Sequence, residues 1–317
     1  MAKRPRAAKS RPESAGSVAP RQPCPCGSGK RFKACHGAPH GDAPFVVRSF
    51  AGLPGECDWV ALREFVQAAT APLVLRPGTF EGRAAGCDVR AVTLLPGIAP
   101  ALKREDGAVW LALQVAHQSG DPSTDLARAL ELALAAEPGA SVTMPSDAPA
   151  GGRLQDVVDA EVALAVAVLG GFDFWFEGVE DTDGAVAATL AQLNDTIDPT
   201  VRLTSVEAAY WTATGTKEHL RWVLPYDEEE LLTALARLHE AGADHLLAGS
   251  RLVGSFRAHG LLVPVWDLPL GTGAAILEEP AAAFGERLGE ALADASPLSA
   301  DGRAARSGLA NRQLTIR

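Results

Sequence analysis

The chain has 317 residues, 47% of them hydrophobic and 21% charged, with a formal net charge of −10. This is ordinary globular composition, with enough apolar material for one large core or two smaller ones. The charge is unevenly placed: residues 1–38 hold nine Lys/Arg against Glu13 alone, a local +8, which leaves 20 basic and 38 acidic residues, or −18, for the remainder. A basic arm ahead of an acidic body suggests that the arm meets something anionic; a solvated tail that aids solubility is the plainer reading. No apolar run follows the early basic residues, so no secretory leader is expected. The longest apolar run, 162–172, is eleven residues with Gly170 and Gly171 inside it, too short for a bilayer span. A cytoplasmic protein is expected, and cysteine usage agrees: three of five cluster, while Cys57 and Cys87 stand alone.

Residues 1–22, rich in Ala, Arg, Pro and Ser, read as a disordered basic arm. Residues 23–38 contain CPCGSGKRFKACHG, and 39–56 read as a linker ending in a short strand, FVVRSF. CDWVALREFVQAA has the spacing of a helix, with Asp58 as cap and Trp59, Leu62, Phe65, Val66 and Ala69 on one face. PLVL, DVRAVTLL and AVWLALQVA read as strands, and the last leads through GDPSTD into a helix over 124–136. FDFWFEG, HLRWVLP and LLVPVWDLP read as further strands, followed by the helices AVAATLAQLND, LLTALARLHEAG and PAAAFGERLGEALADA. Two of these helices follow strand pairs, DVRAVTLL/AVWLALQVA and SVEAAYWTATG/HLRWVLP. The resulting β-β-α units predict an α+β body over 57–295, with an internal duplication into 57–170 and 171–295 as one reading. LQDVVDAEVALAVAVLG (154–170) is expected to be a buried helix between the halves, and 296–317 a loose basic tail.

The one stretch with a chemical signature has the pattern C-x-C-x8-C-H. Zinc takes four thiolate or imidazole donors in a tetrahedron, and Cys24, Cys26, Cys35 and His36 supply four, leaving no open position for catalysis. Gly27 and Gly29 let the chain reverse without a side chain obstructing the metal. A segment this short would fold on metal binding, worth on the order of 10 kcal/mol in small zinc modules. A single iron and accidental clustering are the alternatives. C-x-x-C redox spacing is absent, and GSGK has neither the leading Gly nor the trailing Ser/Thr of a phosphate loop.

Position for position, CPCGSGKRFKACHG is similar to the SEC-C motif, C-x-C-G-S-G-x-x-[FY]-K-x-C-[CH]-G, named for the C-terminal tail of the SecA preprotein translocase ATPase. The resemblance implies one structural zinc held by Cys24, Cys26, Cys35 and His36. It further implies that Lys30, Arg31, Phe32 and Lys33 form the recognition surface, since in that tail the module recognises the chaperone SecB and contacts the ribosome. The match covers 14 residues, sits near the N-terminus, and comes with no Walker motif, so a translocase is not implied. The body, notably GLPGECDWVALREFVQAATAPLVL, resembles an uncharacterised actinobacterial family that carries an N-terminal SEC-C motif; no activity comes with that resemblance.

Elsewhere, HEAGADH fails the H-E-x-x-H spacing, EDTDG lacks the later ligands of a calcium loop, and GTG at 271–273 lacks the third glycine of a dinucleotide fingerprint. The tryptophans at 175, 211, 222 and 266 are expected in the core, and Cys57 and Cys87 as buried thiols. No catalytic motif is present. The expected function is an adaptor whose arm and zinc knuckle contact a protein or ribosome, non-specific nucleic acid being another anionic partner for the arm. The alternative is an enzyme with its pocket in the body.

Overall fold

The structure, a computed structural model, describes residues 21–22, 31–32, 45–116, 119–145, 152–177, 184–312 and 314. It is an α+β fold with two five-stranded sheets. The first holds β1 (Ala69–Pro72), β2 (Val89–Val92), β3 (Ala101–Lys103), β4 (Val109–Ala112) and β5 (Ala167–Val168) in the order β3-β4-β2-β1-β5. The second holds β6 (Thr200–Arg202), β7 (Ala209–Thr214), β8 (Lys217–Trp222), β9 (Arg251–Ala258) and β10 (Leu261–Leu268) in the order β6-β7-β8-β10-β9. The second sheet is antiparallel throughout, whereas β2 and β4 are parallel neighbours. Parallel neighbours need a crossover, and β3 supplies it, so the hairpin partner of β4 is β3 and not β2.

Strand alternation assigns each face to a core. On β4, Val109 and Leu111 face one cluster while Trp110 and Ala112 face another. On β10, Leu261, Val263 and Val265 face the first cluster, while Leu262, Trp266 and Leu268 face a third. The first cluster thus lies between the sheets and is filled by α1 (Glu56–Glu64) and α2 (Pro122–Ala135). Seven of the nine α1 residues are buried, as befits a helix covered on several sides. Beyond the second sheet lie α5 (Glu228–Glu240), α6 (Gly273–Ala293) and α7 (Ala300–Asn311), packed around Trp222, Trp266 and Phe284. Beyond the first sheet lie Phe172, Trp175 and α4 (Ala185–Asn194).

Asp121 caps α2 and Asp227 caps α5, each carboxylate accepting the N–H of the second helical residue. Asp58 does not cap: α1 begins at Glu56, and Asp58 lies inside the helix.

Several expected elements fold otherwise. Residues 154–170 are not a buried helix; only α3 (Leu154–Val157) is helical, Val158 bridges to Leu75, and β5 follows. FDFWFEG forms a 3-10 turn over Asp173–Phe176, and FVVRSF forms bends and turns instead of a strand. Helix α6 starts seven residues before Pro280, which lies inside it. Its missing N–H leaves the Ile276 carbonyl without a donor, beside a residue that is 60% exposed and open to water. Residues 300–311, expected as loose tail, form α7; beyond it Arg312 C=O accepts from Ser255 N–H and Leu314 N–H donates to Ser255 C=O, lengthening the sheet at β9.

Candidate functional site

Of the ten residues singled out in the cysteine-rich stretch, the structure describes Arg31 and Phe32. Cys24, Cys26, Gly27, Gly29, Lys30, Lys33, Cys35 and His36 lie outside the described residues. Phe32 N–H donates to Gln22 C=O at 2.8 Å. The Phe32 ring meets Phe45 edge to face, with centroids 5.3 Å apart, and Arg31 is exposed. Val46 N–H donates to Gly120 C=O at 2.9 Å, so the residue after Phe45 is tied to the body. Phe32 therefore contacts its own chain. Three thiolates and an imidazole suit zinc in donor chemistry. Among the described residues no group of three or more His, Cys, Asp or Glu could hold a metal ion.

In the body, the principal buried polar cluster is Asp58 with Arg202 and Tyr210. Arg202 donates to both carboxylate oxygens at 2.9 Å, and Tyr210 Oη–H donates to Oδ1 at 2.6 Å. Hydrogen bonding to Asp58 raises the Arg202 pKa, while burial and then the Asp58 charge raise that of Tyr210. The cluster clamps α1 onto the second sheet. Burial first, then the charges of Glu56 and Asp58, pushes the Cys57 thiol up to about 12. Burial also raises Cys87, whose Sγ lies 3.2 Å from Gly107 C=O. Burial thus disfavours the thiolate form of both.

GTG at 271–273 has an occupant from within the chain. Gly271 N–H and Gly273 N–H donate to the Glu218 carboxylate, as does Trp211 Nε1–H at 2.8 Å. Burial works to raise the Glu218 pKa, but these donors prevail and hold it below the usual carboxylate range. The start of α6 thus offers its donors to a side chain.

Among the described residues, the first sheet's side carries two open clefts of several hundred Å³. One, of about 530 Å³, is a shallow apolar groove between Phe174, Phe176 and Leu190. The other, of about 430 Å³, brings together Arg83, Cys87, Asp88, Lys103 and Asp106. Its charges are engaged locally: Lys103 Nζ–H donates to the Leu134 and Ala136 carbonyls at the end of α2, Asp88 pairs with Arg90, and Asp106 pairs with Arg104. His239 and His245 of HEAGADH form no metal site; His239 Nδ1 lies 2.6 Å from Asp244 Oδ2.

Of the four tryptophans expected in the core, 175, 222 and 266 are 9% exposed or less, while Trp211 is only partly buried against it. Sequence reading missed the Asp58 cluster, whose members lie 144 and 152 residues apart.

An α+β body behind a SEC-C segment is the class defined by these features. Comparison with protein families makes it specific: the model for a family of unknown function, DUF5926, matches residues 49–317, and the chain belongs to that family. A SEC-C motif matches residues 21–38. No curated protein and no solved structure matches the chain. No helix among the described residues is long and apolar enough to cross a membrane.

Proposed function

We propose that this protein is a cytoplasmic zinc-binding adaptor, with one structural zinc held by Cys24, Cys26, Cys35 and His36. In this reading Lys30, Arg31, Phe32 and Lys33, with the basic arm, contact an anionic partner: the ribosome, a chaperone or a translocation component. The observation that carries it is the SEC-C segment itself, complete in its four donors and set in a +8 region ahead of a −18 body. When bound, zinc would supply folding energy to the segment and no reaction chemistry, because four protein donors complete its coordination. Phe32 faces Phe45, so within the recognition stretch the exposed Arg31 is the better placed of the two for contact with a partner.

Elemental analysis of the full chain is expected to give about one zinc, lost in Cys24→Ser/Cys26→Ser. Zinc-independent capture of ribosomes and chaperones, or capture of neither, would overturn the adaptor reading. The polar cleft around Cys87 favours a second reading, an enzyme that the SEC-C segment only localises. It predicts that a small molecule protects Cys87 from alkylation.

A further inference from the structure

The partly buried arginines of this body have oxygen partners. Arg63 donates to the Leu113 and Val115 carbonyls, Arg153 pairs with Asp121, Arg202 with Asp58 and Arg257 with Glu228. Arg221 departs from this rule. It stands on β8, half-buried, with Cζ 5.5 Å from the centroid of the Phe65 ring. Among the described residues it has neither a hydrogen-bond acceptor nor an ion-pair partner. Burial lowers its pKa, and the more distant Asp198 is the charge that opposes this. Its guanidinium nitrogens still reach solvent, and the ring face beside them satisfies the charge in part but not the N–H groups, which leaves these open to a ligand's oxygens.

A second polar side chain on the same strand is also incomplete. His219 lies two residues before Arg221, so both point from one face of β8, about 7 Å apart. Its Nδ1 is enclosed and has no hydrogen-bond partner; Asp267 Oδ1 is 3.0 Å away but out of alignment. Strand register sets Thr212 and Asp267 beside His219, and Tyr210 and Val265 beside Arg221. Thr200 Oγ1–H donates to Thr212 Oγ1 at 3.3 Å, adding hydroxyls to the same row. Two carboxylates border the patch. Arg251 lies 3.4 Å from Asp267 and offsets its charge, which leaves Asp198.

We propose that Arg221 and His219 form a receptor for one oxyanion, the carboxylate or phosphate group of a small molecule, seated beside Phe65. Arg221 binds two of its oxygens, and His219, through Nε2 because Nδ1 is enclosed beside Asp267, supplies a further donor with the Thr212 hydroxyl. The bordering Asp198 restricts the ligand to a group small enough to avoid it. This site is independent of the SEC-C segment, so it stands or falls apart from the adaptor reading.

The test uses the full chain titrated separately with inorganic phosphate and with acetate, at ionic strength held constant with chloride. It reads the thermal midpoint and the NMR signals of Arg221 Nε–H and the His219 ring. A saturable rise in midpoint with one of the two anions, together with a shift of both signals, is expected. Arg221→Gln should weaken the response by about tenfold or more, and His219→Gln by several-fold. Equal responses in wild type and Arg221→Gln would overturn the proposal. So would an Arg221 signal that moves in Asp198→Asn and answers to neither anion, because the guanidinium then pairs with Asp198. Should Arg221→Gln fail to fold, the wild-type signals and His219→Gln decide alone.

Discussion

Asp58 shows how one side chain can determine the placing of an element. Its carboxylate, 4% exposed, accepts three hydrogen bonds from groups on the second sheet. Asp58→Ala leaves the Arg202 guanidinium and the Tyr210 hydroxyl without their acceptor. The expected loss is about 3–5 kcal/mol, the range for breaking one side of a buried pair, read from urea unfolding of the full chain. A loss below about 1 kcal/mol would mean that water replaces the carboxylate there. Glu278 makes a comparable link from α6: its carboxylate accepts from the backbone N–H and the hydroxyl of Thr204 and from the backbone N–H of Ser205. Burial works to raise its pKa, but the Ser205 and Thr204 donors hold it at about 2, against an ordinary value of 4.5. The folded value is the lower one, so its contribution is present above pH ~4.5 and is lost as pH falls toward 2. Glu278→Gln should flatten the decline in unfolding midpoint between pH 5 and pH 3, relative to wild type; an unchanged decline would refute this. Local signals were legible at this scale where they are local: Asp121 and Asp227 lie in turns whose composition already marks a helix start. Asp58 looked like a third such cap, because the arginine it serves lies 144 residues away.

At the scale of elements, the amphipathic helices 122–135 and 228–240 follow from their spacing, and so do the long hydrophobic strands. The failures come where composition masks period. In 164–168, Leu164, Val166 and Val168 pack on the core while Ala165 and Ala167 are exposed. That is an alternation of two, a strand signal hidden among residues that also favour helices. β9 was missed although His259 and Gly260, both at positive φ, join it to β10 by a two-residue turn. The tail was missed for a different reason: its pairing with Ser255 is backbone to backbone and leaves no mark on side-chain pattern. It does leave one on Gly254, where a Cβ would fall 2.5 Å from the Arg312 carbonyl oxygen. Gly254→Ala is therefore expected to detach Arg312 and Leu314 from β9 and cost about 1–3 kcal/mol. Limited proteolysis should then cut after α7 much faster than in wild type, and an unchanged rate would refute the pairing.

At the scale of the whole molecule, the sequence indicates the fold class and the SEC-C segment but not how the sheets meet. Phe65 packs edge to face on both Tyr210 and Phe256, so the central core draws on residues from either side of position 170. Such a junction depends on which faces the two sheets turn inward, and pattern alone does not pair one apolar face with another. The chemistry is legible in the opposite sense: the C-x-C-x8-C-H pattern stands out within 13 residues, whereas Arg221 is conspicuous only once its lack of partners can be inspected.

The span between Asp58 and Tyr210 also bears on how the chain is made. At about 5–20 residues per second, the 152 positions between them take on the order of 8–30 s to synthesise. Through that interval α1 has no second sheet to enter, and the Asp58 carboxylate has only water to bond. The SEC-C segment has left the ribosome well before then. On the adaptor reading proposed above, a partner binding that segment on a growing chain would meet it ahead of an unfinished body.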